Sequence, residues 1–377
     1  MSGCLLLHPN VTSLDKKYNR SPESALVELQ LLAKSISLEI FSSIVVNLSK
    51  IHISHYFGKG KVTEIKCLIN KFSDKNCLII INSALSPIQH RNLEQSLNRK
   101  VLDRTALILE IFGSRASTKE GSLQVELAHL EWQKSRLVRS WTHLERQRGG
   151  RGFMGGPGEL QIELDKRIIN TRIKKIKFDL KKIIKTRTLH RKKRKGAFPI
   201  VSIIGYTNTG KSTLFNLLTG ASEYSKNLLF ATLNSKHRKA SEYKGLKEFI
   251  LSDTVGFVSN LPTELIESFK GTLEEIVVSD LIIHVRDISH GDYYSQNLDV
   301  KEIINKIFDE NNTKIPNVIE VLNKIDKSDH INNYKILNSD VYKTNKVYIS
   351  AKKGLGIYEL RKHINKVLNS KKSYIQN

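Results

Sequence analysis

The stretch that most restricts the fold runs from Ile200 to Leu218. An apolar run, Ile200-Val201-Ser202-Ile203-Ile204, reads as a buried strand. It is followed by Gly205-Tyr206-Thr207-Asn208-Thr209-Gly210-Lys211-Ser212, the spacing G-x-x-x-x-G-K-[ST], and Ser212-Thr213-Leu214-Phe215 then opens a helix. A strand delivered into a helix by a glycine loop belongs in an α/β sheet with mainly parallel strands. The glycines let backbone N–H groups turn toward one point, where the helix N-terminus adds its positive end. Lys211 can reach the outer phosphates of a nucleotide, and the Ser212 hydroxyl can ligate Mg²⁺.

Motifs downstream narrow the nucleotide. Phe230-Ala231-Thr232-Leu233-Asn234 lies on a polar segment between helix and strand, and Thr232 is expected to close on Mg²⁺ and the γ-phosphate as a second metal ligand. Asp253-Thr254-Val255-Gly256 ends the next strand. There Asp253 can hold the metal through water, and the Gly256 N–H can bind the γ-phosphate. Lys211, Thr232 and Gly256 are thus the expected catalytic set. Asn323-Lys324-Ile325-Asp326 follows a further apolar run, Val318 to Leu322. Asp326 can accept both the N1–H and the 2-amino group of guanine, a donor pair that adenine lacks. Asn323 can brace the loops, and Lys324 can lie along the base plane. In Ser350-Ala351-Lys352, the Ala351 N–H is expected to meet guanine O6. His284, inside the run Leu281 to Val285, reads as a packed histidine. GTP and GDP are the expected ligands, with Mg²⁺. Phe257 stands where a water-orienting Gln would support hydrolysis, so slow intrinsic turnover is expected.

Between residues 116 and 196 the periodicity changes. Leu123, Leu127, Leu130, Leu137, Trp141 and Leu144 step by four and three, with Lys134 filling one position, and Ile169, Ile173, Ile176, Leu180 and Ile183 repeat that rhythm. Gly149 to Gly158 separates the two runs, too glycine-rich for a helix. An antiparallel, coiled-coil hairpin with a glycine tip at 149–158 follows. Lys and Arg number 61 against 37 Asp and Glu, a formal net charge of +24, which favours a polyanionic partner. Arg136, Arg139, Arg146, Arg148 and Arg151 cluster toward the tip. Lys166, Arg167, Arg172, Lys174, Lys175, Lys177, Lys181 and Lys182 line the second arm, so the hairpin is the expected RNA contact.

Residues 1–115 read as a small α/β domain. Helices are expected from Ser21-Pro22 to about Lys34, over Gly60 to Phe72 and from Ser86-Pro87. Strand signals lie at Leu38–Leu48, Cys77–Ile81, Val101-Leu102 and Ala106–Leu109. His52 and His55 read as surface residues, since no ligand spacing accompanies them. Cys4, Cys67 and Cys77 lack metal-ligand spacing and suit a reducing compartment. No apolar run approaches a membrane span. The expected fold is α/β throughout: the N-terminal α/β domain (1–115), the basic hairpin (116–196), a doubly wound, mainly parallel P-loop GTPase domain (197–370) and a tail (371–377). A cytoplasmic monomer is expected, without stable membrane insertion and with at most transient membrane contact.

Longer segments extend the generic set. Asp103-Arg104-Thr105-Ala106-Leu107-Ile108-Leu109-Glu110, Gln124-Val125-Glu126-Leu127-Ala128-His129, Gly155-Gly156-Pro157-Gly158-Glu159-Leu160-Gln161-Ile162-Glu163 and Asp253-Thr254-Val255-Gly256-Phe257-Val258 resemble segments of the HflX family of translation-associated GTPases, over almost the whole chain. Leu160 and Leu164 replace the usual threonines, Lys166 an Arg, and Asn234-Ser235 stand where Asp-Pro is common. The resemblance implies binding to the large ribosomal subunit, with the hairpin tip against rRNA in the peptidyl-transferase region. It also implies ribosome-stimulated GTP hydrolysis and, in several members, splitting of stalled or idle ribosomes. An RNA-remodelling or assembly GTPase that does not separate subunits is the other reading of the same features.

Overall fold

The structure is a computed structural model that describes residues 3–12, 20–72, 77–147, 157–195, 198–221, 230, 236–240, 245–262, 265, 268–328 and 344–373. The chain divides into two compact units, residues 1–183 with 262–268, and residues 184–261 with 269–377.

The first unit holds a parallel four-stranded sheet, order β2-β1-β3-β4, built from β1 (Gly3–Val11), β2 (Glu39–Leu48), β3 (Leu78–Ile81) and β4 (Val101–Asp103). Helices α1 (Pro22–Ser35), α2 (Lys59–Ile69) and α3 (Pro87–Leu97) connect the strands. Ser21 and Ser86 cap α1 and α3 through their hydroxyls, each followed by Pro at the first helical position, where its missing N–H costs nothing. Strand β1, which carries no sequence expectation above, is an inner strand on which β2 and β3 both pair; Leu5, Leu6 and Leu7 are fully buried there. The run Ala106–Leu109, expected as a strand, is instead part of helix α4 (Arg104–Arg115). Asp103 ends β4 and caps α4, its Oδ1 accepting the Ala106 N–H at 2.8 Å. Ala106, Leu107, Ile108, Leu109, Ile111 and Phe112 are all buried. A helix wrapped on several sides loses the polar stripe that would betray its period.

Helix α5 (Lys119–Gln147) follows, then α6 (Pro157–Lys195). Pro157 and Gly158, assigned above to the tip loop, belong to α6, with Pro157 pre-set for the first turn. Residues 148–156 lie outside the described residues. So short a connection cannot run back along the 29 residues of α5, and the two helices are therefore antiparallel. Part of the expected seam is in place: Leu127, Ile173, Ile176 and Leu180 form a buried cluster flanked by Leu123, Leu130 and Ile169, while the side chains of Trp141 and Leu144 lie outside the described residues. Arg172 forks onto Glu126 (2.6 and 3.0 Å) and Lys177 meets Glu131 at 2.8 Å. Arg136, counted above with the tip's cations, is not presented to solvent. Its guanidinium bonds the buried Asp103 at 2.6 Å and stacks on Trp132 at 4.0 Å, pinning α5 to the end of β4.

The second unit holds a six-stranded sheet of order β10-β9-β8-β5-β7-β6. Its strands are β5 (Ile200–Gly205), β6 (Lys236–Ala240), β7 (Phe249–Asp253), β8 (Leu281–Asp287), β9 (Asn317–Asn323) and β10 (Lys346–Tyr348). All pairings are parallel except β6 with β7. Among its helices are α7 (Lys211–Thr219), α8 (Lys270–Val277), α9 (Tyr293–Glu310) and α10 (Ile357–Ser373). Every residue of β5 and β8 is buried, as parallel strands covered on both faces must be. His284 lies inside β8, 2 % exposed, and burial pushes its pKa down to about 3. It is a packed neutral ring, as anticipated. Strand β5 lies between β8 and β7, so the chain order reverses beside its carboxyl end. Open α/β sheets bind ligands at that point.

Candidate nucleotide-binding site

Beyond β5 the loop is shaped by two glycines at which any side chain would be strained. Gly205 has φ +149°, and an added Cβ would lie 2.3 Å from the Val285 carbonyl oxygen. Gly210 has φ +95°, and its Cβ would lie 2.3 Å from Asn323 Nδ2. Between them Asn208 takes φ +60°, a conformation Asn tolerates. Thr207 and Thr209 are buried, and the Thr209 hydroxyl donates to the Tyr206 carbonyl at 2.9 Å.

Lys211 starts α7 and is buried, its Nζ donating to the Tyr206 carbonyl at 2.6 Å. Burial lowers its pKa to about 8, opposed by Asp253 and reinforced by Lys324. A desolvated ammonium of this kind is an under-compensated cation, which an anion would complete. Ser212 follows, and its hydroxyl donates to Asp253 Oδ2 at 3.0 Å. An alcohol and a carboxylate side by side at the helix start are an all-oxygen donor set, the kind that suits Mg²⁺. Thr213 continues α7, half-buried.

The base side is equally ordered. Asn323 ends β9 and braces two loops: its Nδ2 donates to the Thr209 carbonyl at 2.8 Å, and its Oδ1 accepts the Ala351 N–H at 3.0 Å. The Ala351 N–H, expected at guanine O6, is thus held by Asn323 here. Lys324, with φ +67°, spans to the phosphate loop and donates to the Asn208 carbonyl at 2.8 Å. Ile325 is fully buried and anchors the single 3₁₀ turn that carries Asp326. Ser350 donates to Asp326 Oδ1 at 2.6 Å. Partial burial would raise the Asp326 pKa, but the Ser350 bond, a backbone N–H, Lys353 and Lys327 outweigh it and hold the carboxylate below its usual range. Lys352, in the Ser350-Ala351-Lys352 segment, is exposed.

Comparison with known proteins gives the family. Three family models match in succession: "GTP-binding GTPase N-terminal" over residues 23–113, "GTP-binding GTPase Middle Region" over 115–194 and "50S ribosome-binding GTPase" over 200–324. The GTPase HflX of Magnetococcus marinus is 43 % identical over 351 residues, covering 92 % of this chain and 79 % of that protein. The GTPase HflX of Escherichia coli K12 is 40 % identical over 337 residues, covering 89 % and 77 %. The chain belongs to the HflX GTPase family. SsGBP, solved as a complex with GDP, shares the fold at a TM-score of 0.52 and 24 % identity, over 98 % of this chain and 99 % of that one.

One arrangement in this HflX-family chain went unread in its sequence. After Asp253 the chain bends back onto the phosphate loop. The Thr254 hydroxyl donates to the Ile203 carbonyl at 2.6 Å, and Val255 is buried. Phe257 pairs with the loop through both backbone groups: its N–H donates to the Gly205 carbonyl (3.1 Å) and its carbonyl accepts the Thr207 N–H (2.7 Å). The Tyr206 hydroxyl accepts the Ser259 N–H at 2.7 Å, and the Phe257 ring is 2 % exposed. Gly256 fits beneath this clasp because it is glycine; a Cβ there would sit 2.9 Å from both Lys211 Nζ and Thr207 Cγ2. The expected site residues Lys211, Ser212, Asp253, Gly256, Asn323, Lys324 and Asp326 thus converge on the carboxyl edge of one sheet. Phe230 is a buried turn residue with φ +55°. Ala231, Thr232, Leu233 and Asn234 lie outside the described residues.

Elsewhere, His52 and His55 each place Nδ1 on the Ser54 hydroxyl (3.0 and 2.8 Å). Among the described residues, no group of three or more His, Cys, Asp or Glu could hold a metal ion. No helix among them is long and apolar enough to cross a membrane.

Proposed function

We propose that this GTPase acts on the large ribosomal subunit, docking in its GTP-bound form and separating stalled or idle ribosomes into subunits. The observation that carries the reading is the match of residues 200–324 to a ribosome-binding GTPase model, on a domain whose nucleotide pocket is assembled from side chains 323 to 326 back to the phosphate loop. Asp326 reads the guanine edge, Lys211 and the backbone N–H groups of the loop hold the phosphates, and Gly256 senses the γ-phosphate. Ser212, with Thr232 and a water on Asp253, would hold Mg²⁺, which neutralises charge on the phosphates when bound. In the unaided protein hydrolysis is slow. The residue after Gly256 is a phenyl ring, buried and tied by its backbone to the loop, and it can neither orient nor deprotonate water. The ribosome supplies what is missing. Helix α6, with Lys174, Lys175, Lys181 and Lys182 exposed, presents the charge that rRNA would meet.

Sedimentation of purified ribosomes with the protein and a non-hydrolysable GTP analogue tests this. Subunits should separate, and replacing residues 149–158 by a short linker should abolish separation while sparing GTP binding. Ribosome binding without separation would replace the reading by an assembly or remodelling role. Separation by the linker variant would remove the tip from the mechanism.

A further inference from the structure

We propose that Asp287 is a positioning residue for the nucleotide, holding Lys324 against the purine. Asp287 is the last residue of β8, buried, and sits opposite Asn323 in the sheet register. Its two oxygens are used separately. Oδ1 accepts the Ser289 N–H (3.1 Å) and the Ser289 hydroxyl (2.6 Å), which fixes the carboxylate's orientation. Oδ2 accepts Lys324 Nζ at 2.6 Å, and the same ammonium donates to the Asn208 carbonyl at 2.8 Å.

Both ends of the Lys324 side chain are therefore fixed. Its backbone is held in the left-handed region at the start of the guanine loop, and its ammonium is clamped between Asp287 and the phosphate loop. The aliphatic stem between them must cross from one loop to the other, along the face of any base bound between those loops. Without Asp287, the ammonium keeps one carbonyl partner and the long side chain regains rotamer freedom, so the wall beside the purine loosens. Asp287 does not touch the guanine edge, which belongs to Asp326. Its influence should reach every purine nucleotide equally, whether or not the base carries a 2-amino group.

Fluorescent GDP titrations on the full chain, with unlabelled GDP and inosine diphosphate as competitors, test the proposal. Asp287→Ala should weaken both nucleotides by about tenfold, the size expected for losing one charge-assisted contact. The ratio of GDP to inosine diphosphate affinity should stay as in the parent protein. Lys324→Ala should cost a similar factor, and the double variant no more than the larger single loss. Asp287→Asn, which keeps an oxygen for Ser289 but removes the charge, should fall between parent and alanine variant. If the alanine variant does not fold, this one carries the same cycle with Lys324. Unchanged GDP affinity, losses that multiply in the double variant, or a collapse of the GDP preference would each overturn the proposal, the last by showing that Asp287 merely holds the loop together.

Discussion

The buried ammonium of Lys211 makes a measurable demand on protons. In the unliganded site its pKa stands at about 8, below the 10.5 of the free side chain. Phosphate oxygens placed beside it would favour the charged form and return the pKa to about 10 or above. Binding of GDP must then take up protons wherever the empty site has begun to lose them. At pH 8 half of the unliganded molecules hold a neutral amine, so uptake should be about half a proton per GDP, falling to about a tenth at pH 7 and rising to about nine tenths at pH 9. Affinity should fall about twofold from pH 7 to 8 and about fivefold more by pH 9, ~1.4 kcal/mol in total. The sign for folding is opposite. The unfolded chain binds the extra proton between pH 8 and 10.5, so this group's contribution to the stability of the unliganded fold rises with pH across that window. Isothermal titration calorimetry of GDP at pH 8, in two buffers of different ionisation enthalpy, reads the uptake directly. The terminal phosphate of GDP is fully ionised there and adds nothing. No uptake at pH 8 would refute the claim that burial suppresses this charge and that phosphate restores it.

Two further substitutions probe the packing. Gly210→Ala forces a methyl onto Asn323 Nδ2 at a left-handed φ; strain of ~1–2 kcal/mol plus the Asn323–Thr209 bond should lower GDP affinity roughly a hundredfold, read by the same titration. Arg136→Ala leaves Asp103 buried with backbone partners alone. It should destabilise the first unit by about 3 kcal/mol in urea melts, with GDP affinity untouched.

Much of the nucleotide pocket was legible because its chemistry is local. A phosphate loop needs its glycines within a few residues of its lysine, and N-K-x-D is one turn. The seam of Leu123, Leu127 and Leu130 with Ile169, Ile173, Ile176 and Leu180 was legible because apolar residues spaced by three and four over several turns suit little besides helix on helix. What escaped depends on distance. Strand β1 is a run of leucines indistinguishable from any apolar segment until β2 and β3 flank it. Helix α4 lost its polar stripe to burial and read as a strand. Arg136 looks like a tip cation until Asp103, 33 residues away, claims it. The pairing of Tyr206 with Ser259 spans 53 residues and leaves no mark on either segment. Asp287 likewise stands 37 residues from Lys324, inside a strand whose burial alone was readable.

The Phe257 clasp bears on what the bound nucleotide can signal. A GTPase with its own water-positioning side chain carries an internal clock, which a partner can only speed. On the proposed reading, with the buried Phe257 in that place and unaided hydrolysis slow, the waiting time would be set mainly from outside the protein. Loss of the γ-phosphate would then record an encounter more than the passage of time, and molecules that meet no target would stay armed for longer.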